Sequence, residues 1–175
     1  MSTFSNSTFS KYDHWITPRH AWEDIKEYIP KRVIWEPFFG DGTSGLHLRD
    51  MGFEVIHENI DFFEEDRGEV VVTNPAFSKI PEILKRLKDL NRPFIMIMPS
   101  SKINTKYFQK LFTSDIQLIV PPKRINFIKL VDGQVPQDYH SRCNFDCFYY
   151  CWNMGLPRDL IFLPQVRQGV EKVAV

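Results

Sequence analysis

Apolar residues recur along this chain in two rhythms. Short runs with almost no polar interruption predict strands at Lys31–Trp35, Phe53–Ile56, Val70–Thr73, Phe94–Met98, Gln117–Val120, Asn126–Val131 and Phe145–Trp152. Between them lie stretches with a helical period. Ile80, Ile83, Leu84 and Leu87 share one helical face, and Tyr107 to Phe112 continues the same rhythm. A helix from Thr17-Pro18 to Tyr28 is expected, with Thr17 as N-cap and Pro18 at the first helical position. Another short helix should run to Met51 and stop at Gly52.

Strands that alternate with helices predict an α/β fold, with a mostly parallel central sheet and helices on both faces. The last two runs, Asn126–Val131 and Phe145–Trp152, are joined by the polar loop Val131–Arg142 rather than by a helix. They predict an antiparallel C-terminal hairpin at one edge. With 175 residues the chain has room for one domain. The expected division is a Ser/Thr-rich arm over residues 1–11, a domain over 12–163 and a tail over 164–175.

Composition adds bounds. Formal net charge is zero, but the charges are segregated. From Glu36 to Glu69 there are ten acidic residues and two basic ones; from Lys79 to Leu130 there are eleven basic and three acidic. A neutral protein can therefore carry a basic face for nucleic acid, although solvated helix faces would give the same pattern. Cys143, Cys147 and Cys151 are odd in number, share one face if on a strand, and lack the paired spacing of a zinc site. Buried free thiols, a reducing compartment and no metal are expected. No apolar run approaches the roughly 18 residues of a membrane span. The expectation is a soluble intracellular protein with no membrane partner, cytoplasmic or, for a phage or viral chain, in the nucleoid or host cell.

Two segments carry candidate chemistry, and both follow a predicted strand. In an open α/β sheet, ligands sit beyond the carboxyl ends of the strands. The first is Glu36-Pro37-Phe38-Phe39-Gly40-Asp41-Gly42. Gly40 and Gly42 let the backbone turn sharply and approach a ligand. Gly45 completes a Gly-x-Gly-x-x-Gly spacing, so a dinucleotide remains possible on spacing alone. Glu36 weighs against it, because a carboxylate repels pyrophosphate and suits a ligand with an ammonium and a sulfonium. After the next strand, Glu58 is suited to ribose hydroxyls, and Asp61 with Phe62 to an adenine ring.

The second segment is Asn74-Pro75-Ala76-Phe77. An adenine amino nitrogen is a poor nucleophile because its lone pair is delocalised into the ring. Two acceptors, the Asn74 side-chain oxygen and the Pro75 carbonyl, can grip its two hydrogens and free the lone pair. Proline fixes the turn, and Phe77 can stack on a base that has left its helix. Positioning and dipoles then suffice, with no covalent intermediate on the protein. An ordinary Asn-Pro turn is the competing interpretation of this segment alone.

Taken in order, Asp13-His14-Trp15-Ile16-Thr17-Pro18, EPFFGDG, Glu58, Asp61-Phe62-Phe63 and NPAF resemble the adenine-specific (amino) DNA methyltransferases of bacterial, phage and viral type that use S-adenosylmethionine (SAM). Pro122–Phe127 and FDCFYYCW are similar to the closing hairpin of those enzymes, and the resemblance covers about residues 12–152. It implies a Rossmann-like methyltransferase fold in a small form without a separate target-recognition domain. It further implies methyl transfer from SAM to the exocyclic amino group of adenine in DNA. Trp15, Thr17 and Pro18 would contact the methionine part of SAM. Glu36, Phe38, Gly40 and Gly42 would form the cofactor pocket, with Glu58 on the ribose and Asp61 and Phe62 on the adenine. Asn74, Pro75 and Phe77 would be catalytic, and Lys123 and Arg124 would face the nucleic-acid backbone. The chain departs from the family at Ala76, where proline is usual. RNA adenine or a protein glutamine offers the same amine geometry. A catalytically inactive cofactor- or nucleic-acid-binding subunit of a heterodimer, or a homodimer, stays open as well.

Overall fold

The computed structural model describes residues 15–130, 132, 134–135 and 145–165. The proposed N-terminal arm over residues 1–11, the following Asp13 and His14, Cys143, most of the Val131–Arg142 loop and the tail beyond Gln165 lie outside the described residues. Seven strands form one sheet: β2 (Ile34–Trp35), β3 (Val55–Ile56), β4 (Val70–Thr73), β5 (Phe94–Pro99), β6 (Ile116–Val120), β8 (Cys147–Trp152) and β9 (Leu160–Phe162). Their order is β3-β2-β4-β5-β8-β6-β9. Neighbours pair in parallel except at β8, which is antiparallel to both β5 and β6. The expected α/β class and mostly parallel sheet are what the structure has.

Alternation along the central strands feeds two cores. Val70, Val72, Ile95, Ile97, Tyr149 and Cys151 pack on one face with Ala21 and Trp22 of helix α1 (Arg19–Glu23) and Leu48 of helix α2 (Thr43–Asp50). Val71, Phe94, Met96, Met98, Tyr150 and Trp152 pack on the other with helix α3 (Ile80–Asp89) and Phe108 of helix α4 (Lys106–Leu111). Strands buried on both sides need apolar residues at every position, which is why VVV and FIMIM read as unbroken runs. In α3 the four residues Ile80, Ile83, Leu84 and Leu87 are buried as their spacing predicts, with Glu82 in the first turn and Arg86 and Lys88 in the last, complementing the helix dipole.

The expected edge hairpin is corrected. Strand β7 (Ile128–Lys129) leaves the main sheet and pairs antiparallel with β1 (Trp15–Ile16) as a separate ribbon. Strand β8 is interior, inserted between β5 and β6, and the edge is formed by β9, which the apolar runs did not predict. The first helix is also shorter than expected. Pro18 is the N-cap rather than the first helical residue, and α1 ends at Glu23. Ile25 leaves helical geometry, a 3₁₀ turn follows over Lys26–Tyr28, and Ile29 is extended. Pro30 explains that last step, because a proline disfavours helical geometry in the residue before it.

The α3 stripe should be the most sensitive part of this packing. Leu84→Ala is expected to lower unfolding free energy by about 2–5 kcal/mol, whereas Lys85→Ala on the exposed face should change it by less than about 0.5 kcal/mol. Urea denaturation followed by circular dichroism checks both.

Candidate functional site

Three neighbouring parallel strands end on the same rim and deliver one polar residue each. Glu36 follows β2, His57 follows β3 and Asn74 follows β4. Beyond Glu36 the chain makes its glycine turn, with Gly40 and Gly42 at φ 57° and 85°, in the left-handed region that glycine occupies without strain. The turn runs into α2. The Asp41 carboxylate accepts from the Thr43 backbone N–H at 3.0 Å and from the Thr43 hydroxyl at 2.7 Å, which fixes the approach to the helix.

Glu36 is buried. Its carboxyl accepts from the Phe38 N–H at 3.0 Å, from the Thr73 hydroxyl and from the Asn74 N–H. Burial raises its pKa from the usual 4.5 to about 8, the three donors offsetting only part of that effect. A carboxylate has about four acceptor positions, so three donors leave room for roughly one more. Glu36 therefore ties the glycine turn to the exit of β4.

His57 is the residue that sequence reasoning missed. It is buried, and its Nδ1 donates to the Glu36 carbonyl at 2.8 Å. The Phe39 ring stacks on the imidazole with centroids 4.9 Å apart. Nε2 is buried without a partner. Burial holds the imidazole below its usual pKa, and the nearby Arg49 acts in the same direction, so the ring is neutral at pH 7. Gly45 was the signal that could have found it. A Cβ there would stand 2.4 Å from His57 Cδ2, so the third glycine makes space for a ring.

Asn74 meets the N-terminal Thr-Pro segment. Its Nδ2 donates to the Thr17 hydroxyl at 3.0 Å, across 57 positions of sequence, and Thr17 is itself buried. Thr17 thus serves the β4 exit instead of capping α1. The Asn74 Oδ1 atom is buried with no partner. Pro75 and Ala76 are buried, and Ala76 has φ −65°, the value that a proline ring would impose. Phe77 is half-buried, edge-on to Phe145 at 5.7 Å and to Phe127 at 6.1 Å.

The remaining expected residues divide. Phe38 is half-buried and packs on Phe62 at 5.2 Å, but Phe62 is a core residue, wedged also against Trp35 with Arg86 over its ring. The Asp61 carboxylate accepts from the Phe63 N–H at 2.8 Å within its own turn, and Glu58 is exposed beyond β3. Trp15 lies in the β1–β7 ribbon with Lys129 over its ring, and Pro18 is half-buried beside Thr17. Lys123 is exposed past the end of β6; Arg124 is clasped by Asp146, with Nε–Oδ1 2.8 Å and Nη2–Oδ2 3.1 Å. Among the described residues no cluster of His, Cys, Asp and Glu could hold a metal ion, and no helix is long and apolar enough to cross a membrane. A hollow of about 470 Å³ lined by Glu23, Lys26, Met51 and Phe53 lies at the opposite pole, where the chain enters β3, and includes none of the rim residues. Comparison of the chain with protein-family models, curated proteins and solved structures finds no match in any of the three.

Two predictions test the rim. Gly45→Ala should lower stability by about 1–3 kcal/mol through the clash with His57, and adding His57→Ala should return much of that loss. An additive double variant in thermal denaturation would argue against the contact. For Glu36, a carboxyl whose pKa is raised in the folded state favours the fold when protonated. Stability should therefore fall as pH rises from about 4.5 to about 8, and Glu36→Gln should flatten that slope in urea titrations across the window. The depressed His57 works with the opposite sign. Its contribution is complete above its usual 6.5 and is lost as pH falls below that value.

Proposed function

We propose that this chain is an enzyme, a SAM-dependent adenine-specific methyltransferase of Rossmann-like type that modifies the exocyclic amino group of adenine in DNA. The observation that carries the reading is the Asn74 Oδ1 atom, a buried acceptor without a partner at the exit of β4. A buried polar atom left unpaired costs about 1–3 kcal/mol, so its retention calls for a ligand that completes it. An amine with two hydrogens is such a ligand, with the Pro75 carbonyl as second acceptor.

The donor set fits the cofactor. The Glu36 carboxyl at the neighbouring strand exit suits the cationic amino-acid head of SAM, and binding a cation there drives off the carboxyl proton. The glycine turn allows close backbone approach, Phe38 is a half-exposed aromatic wall, and Glu58 is free to meet ribose hydroxyls. SAM supplies an electrophilic methyl group on a sulfonium. In the transfer, the nitrogen lone pair forms the new N–C bond. Bound SAM would release that methyl with the C–S electron pair remaining on sulfur, and the surplus amine proton would leave to solvent. Asn74 and Pro75 hold that nitrogen in line, and Phe77 stacks on the base. The φ of Ala76 supports turnover without the usual proline, because the loop already has the backbone angle that the ring would enforce.

The deciding experiment is transfer from methyl-labelled SAM to DNA and RNA of matched sequence, followed by identification of the modified base. N6-methyladenine in DNA is expected. Labelled RNA or glutamine would redirect the substrate, and SAM binding without transfer to any of them would leave a non-catalytic module. Asn74→Ala is expected to abolish transfer while SAM affinity, measured by calorimetry, stays within about threefold of wild type, or about 0.7 kcal/mol. An unchanged rate would remove Asn74 from the mechanism.

A further inference from the structure

The rim that carries the candidate site is electrically divided. At the exits of β2 and β3 stand Glu36, Asp41, Glu58 and Asp61. At the exits of β4, β5 and β6 stand Lys79, Lys102 and Lys123, each in the segment that follows its strand. Lys79 closes the 3₁₀ turn Phe77–Lys79, and Lys102 closes the 3₁₀ turn Ser100–Lys102. None of the three lysines is in an ion pair among the described residues, whereas several other basic residues of the same segment are engaged. Arg92 is paired with Asp66, Lys85 with Asp89, and Arg86 donates to the Phe62 and Glu65 carbonyls.

We propose that Lys79, Lys102 and Lys123 form a phosphate track along the β4–β5–β8–β6 rim, and that the track holds one strand of a polynucleotide. The row crosses three inter-strand steps of about 4.8 Å, roughly 14 Å. One nucleic-acid strand carries a charge about every 3.4 Å of helix rise, so the row spans on the order of four phosphates. Half-buried Phe77 and Phe145 lie on the same stretch of rim. Aromatic rings beside a row of cations suit bases and phosphates better than a flat lipid surface. This inference rests on the proposed function for the identity of the bound strand.

The same geometry assigns a part to Asp146. Strand β8 runs against its neighbours, so its amino end lies on this rim, and the Ser100 N–H donates to the Asp146 carbonyl at 2.8 Å. The chain at Asp146 therefore lies between the segments that carry Lys102 and Lys123. There it holds Arg124 in a two-point ion pair at the surface. It lowers the charge of the track at its centre, and a phosphate entering there competes with it for Arg124.

The test is fluorescence anisotropy with a labelled single-stranded oligonucleotide of about 20 nucleotides, without cofactor, from about 50 to 200 mM salt. The triple variant Lys79→Ala, Lys102→Ala, Lys123→Ala should bind more weakly and lose about 2 from the slope of log K against log salt, about 0.7 per phosphate contact. Asp146→Asn should move the other way, binding more tightly. Lys85→Ala on α3 should match wild type. A triple variant with an unchanged slope would overturn the track, as would wild type that ignores the oligonucleotide. Lysine-dependent binding to phosphatidylserine-containing vesicles but not to oligonucleotide would overturn it in favour of a membrane surface. Binding through the lysines with no methyl transfer would keep the track and refute the proposed reaction.

Discussion

The candidate site depends on one buried carboxyl. Glu36 is taken out of water at the exit of β2, and what makes this tolerable is a set of three donors drawn from two different loops. The Phe38 N–H belongs to the glycine turn; the Thr73 hydroxyl and the Asn74 N–H belong to the end of β4. Satisfying the carboxyl therefore fixes the distance between the turn and the segment that presents Asn74. The raised pKa records that the donors do not fully offset burial, so the carboxyl keeps its proton near neutral pH.

Around that carboxyl the packing is arranged to leave particular atoms unmet. His57 is locked from behind by its bond to the Glu36 carbonyl, by the stacked Phe39 ring and by the space that Gly45 leaves. With Nδ1 donating, Nε2 is an acceptor, and burial together with the nearby Arg49 opposes adding a proton to it. Thr17 gives up capping α1 in order to hold the Asn74 amide. Each is a local cost at the rim, and local costs of this kind collect where function needs fixed geometry.

Much of the fold was legible because buried strands have a strong signature. VVVT at Val70–Thr73 was bounded correctly, since all four residues are covered on both faces. The β9 strand was not, because Leu160 and Phe162 point outward at the sheet edge and only three residues pair. The C-terminal hairpin failed for a different reason. Nearness in sequence suggested that Asn126–Val131 and Phe145–Trp152 would pair, but β8 finds β5 and β6 instead, and β7 finds β1 more than a hundred residues away. At the site, strand exits and residue chemistry brought Glu36 and Asn74 into view, while Thr17 entered only through the family resemblance. The contacts that set their roles span 37 and 57 positions, and no local pattern encodes them. Arg124 was expected to face the nucleic-acid backbone; its partner Asp146 lies 22 residues on, just before a strand whose reversed direction the sequence does not announce.

The charge division of the rim follows from the same topology. In the sequence, acidic and basic residues form two blocks that solvated helix faces would explain equally well. Folding places the exits of β3 and β2 on one side of β4 and those of β5 and β6 on the other. Of the acidic block, Glu36, Asp41, Glu58 and Asp61 follow β2 and β3, while Lys79, Lys102 and Lys123 follow β4, β5 and β6. A cationic small ligand and an anionic polymer would approach such a rim from opposite sides and meet at β4. Asn74 stands at that boundary with its buried side-chain oxygen unpartnered, and in the proposed reaction that oxygen would hold the amine.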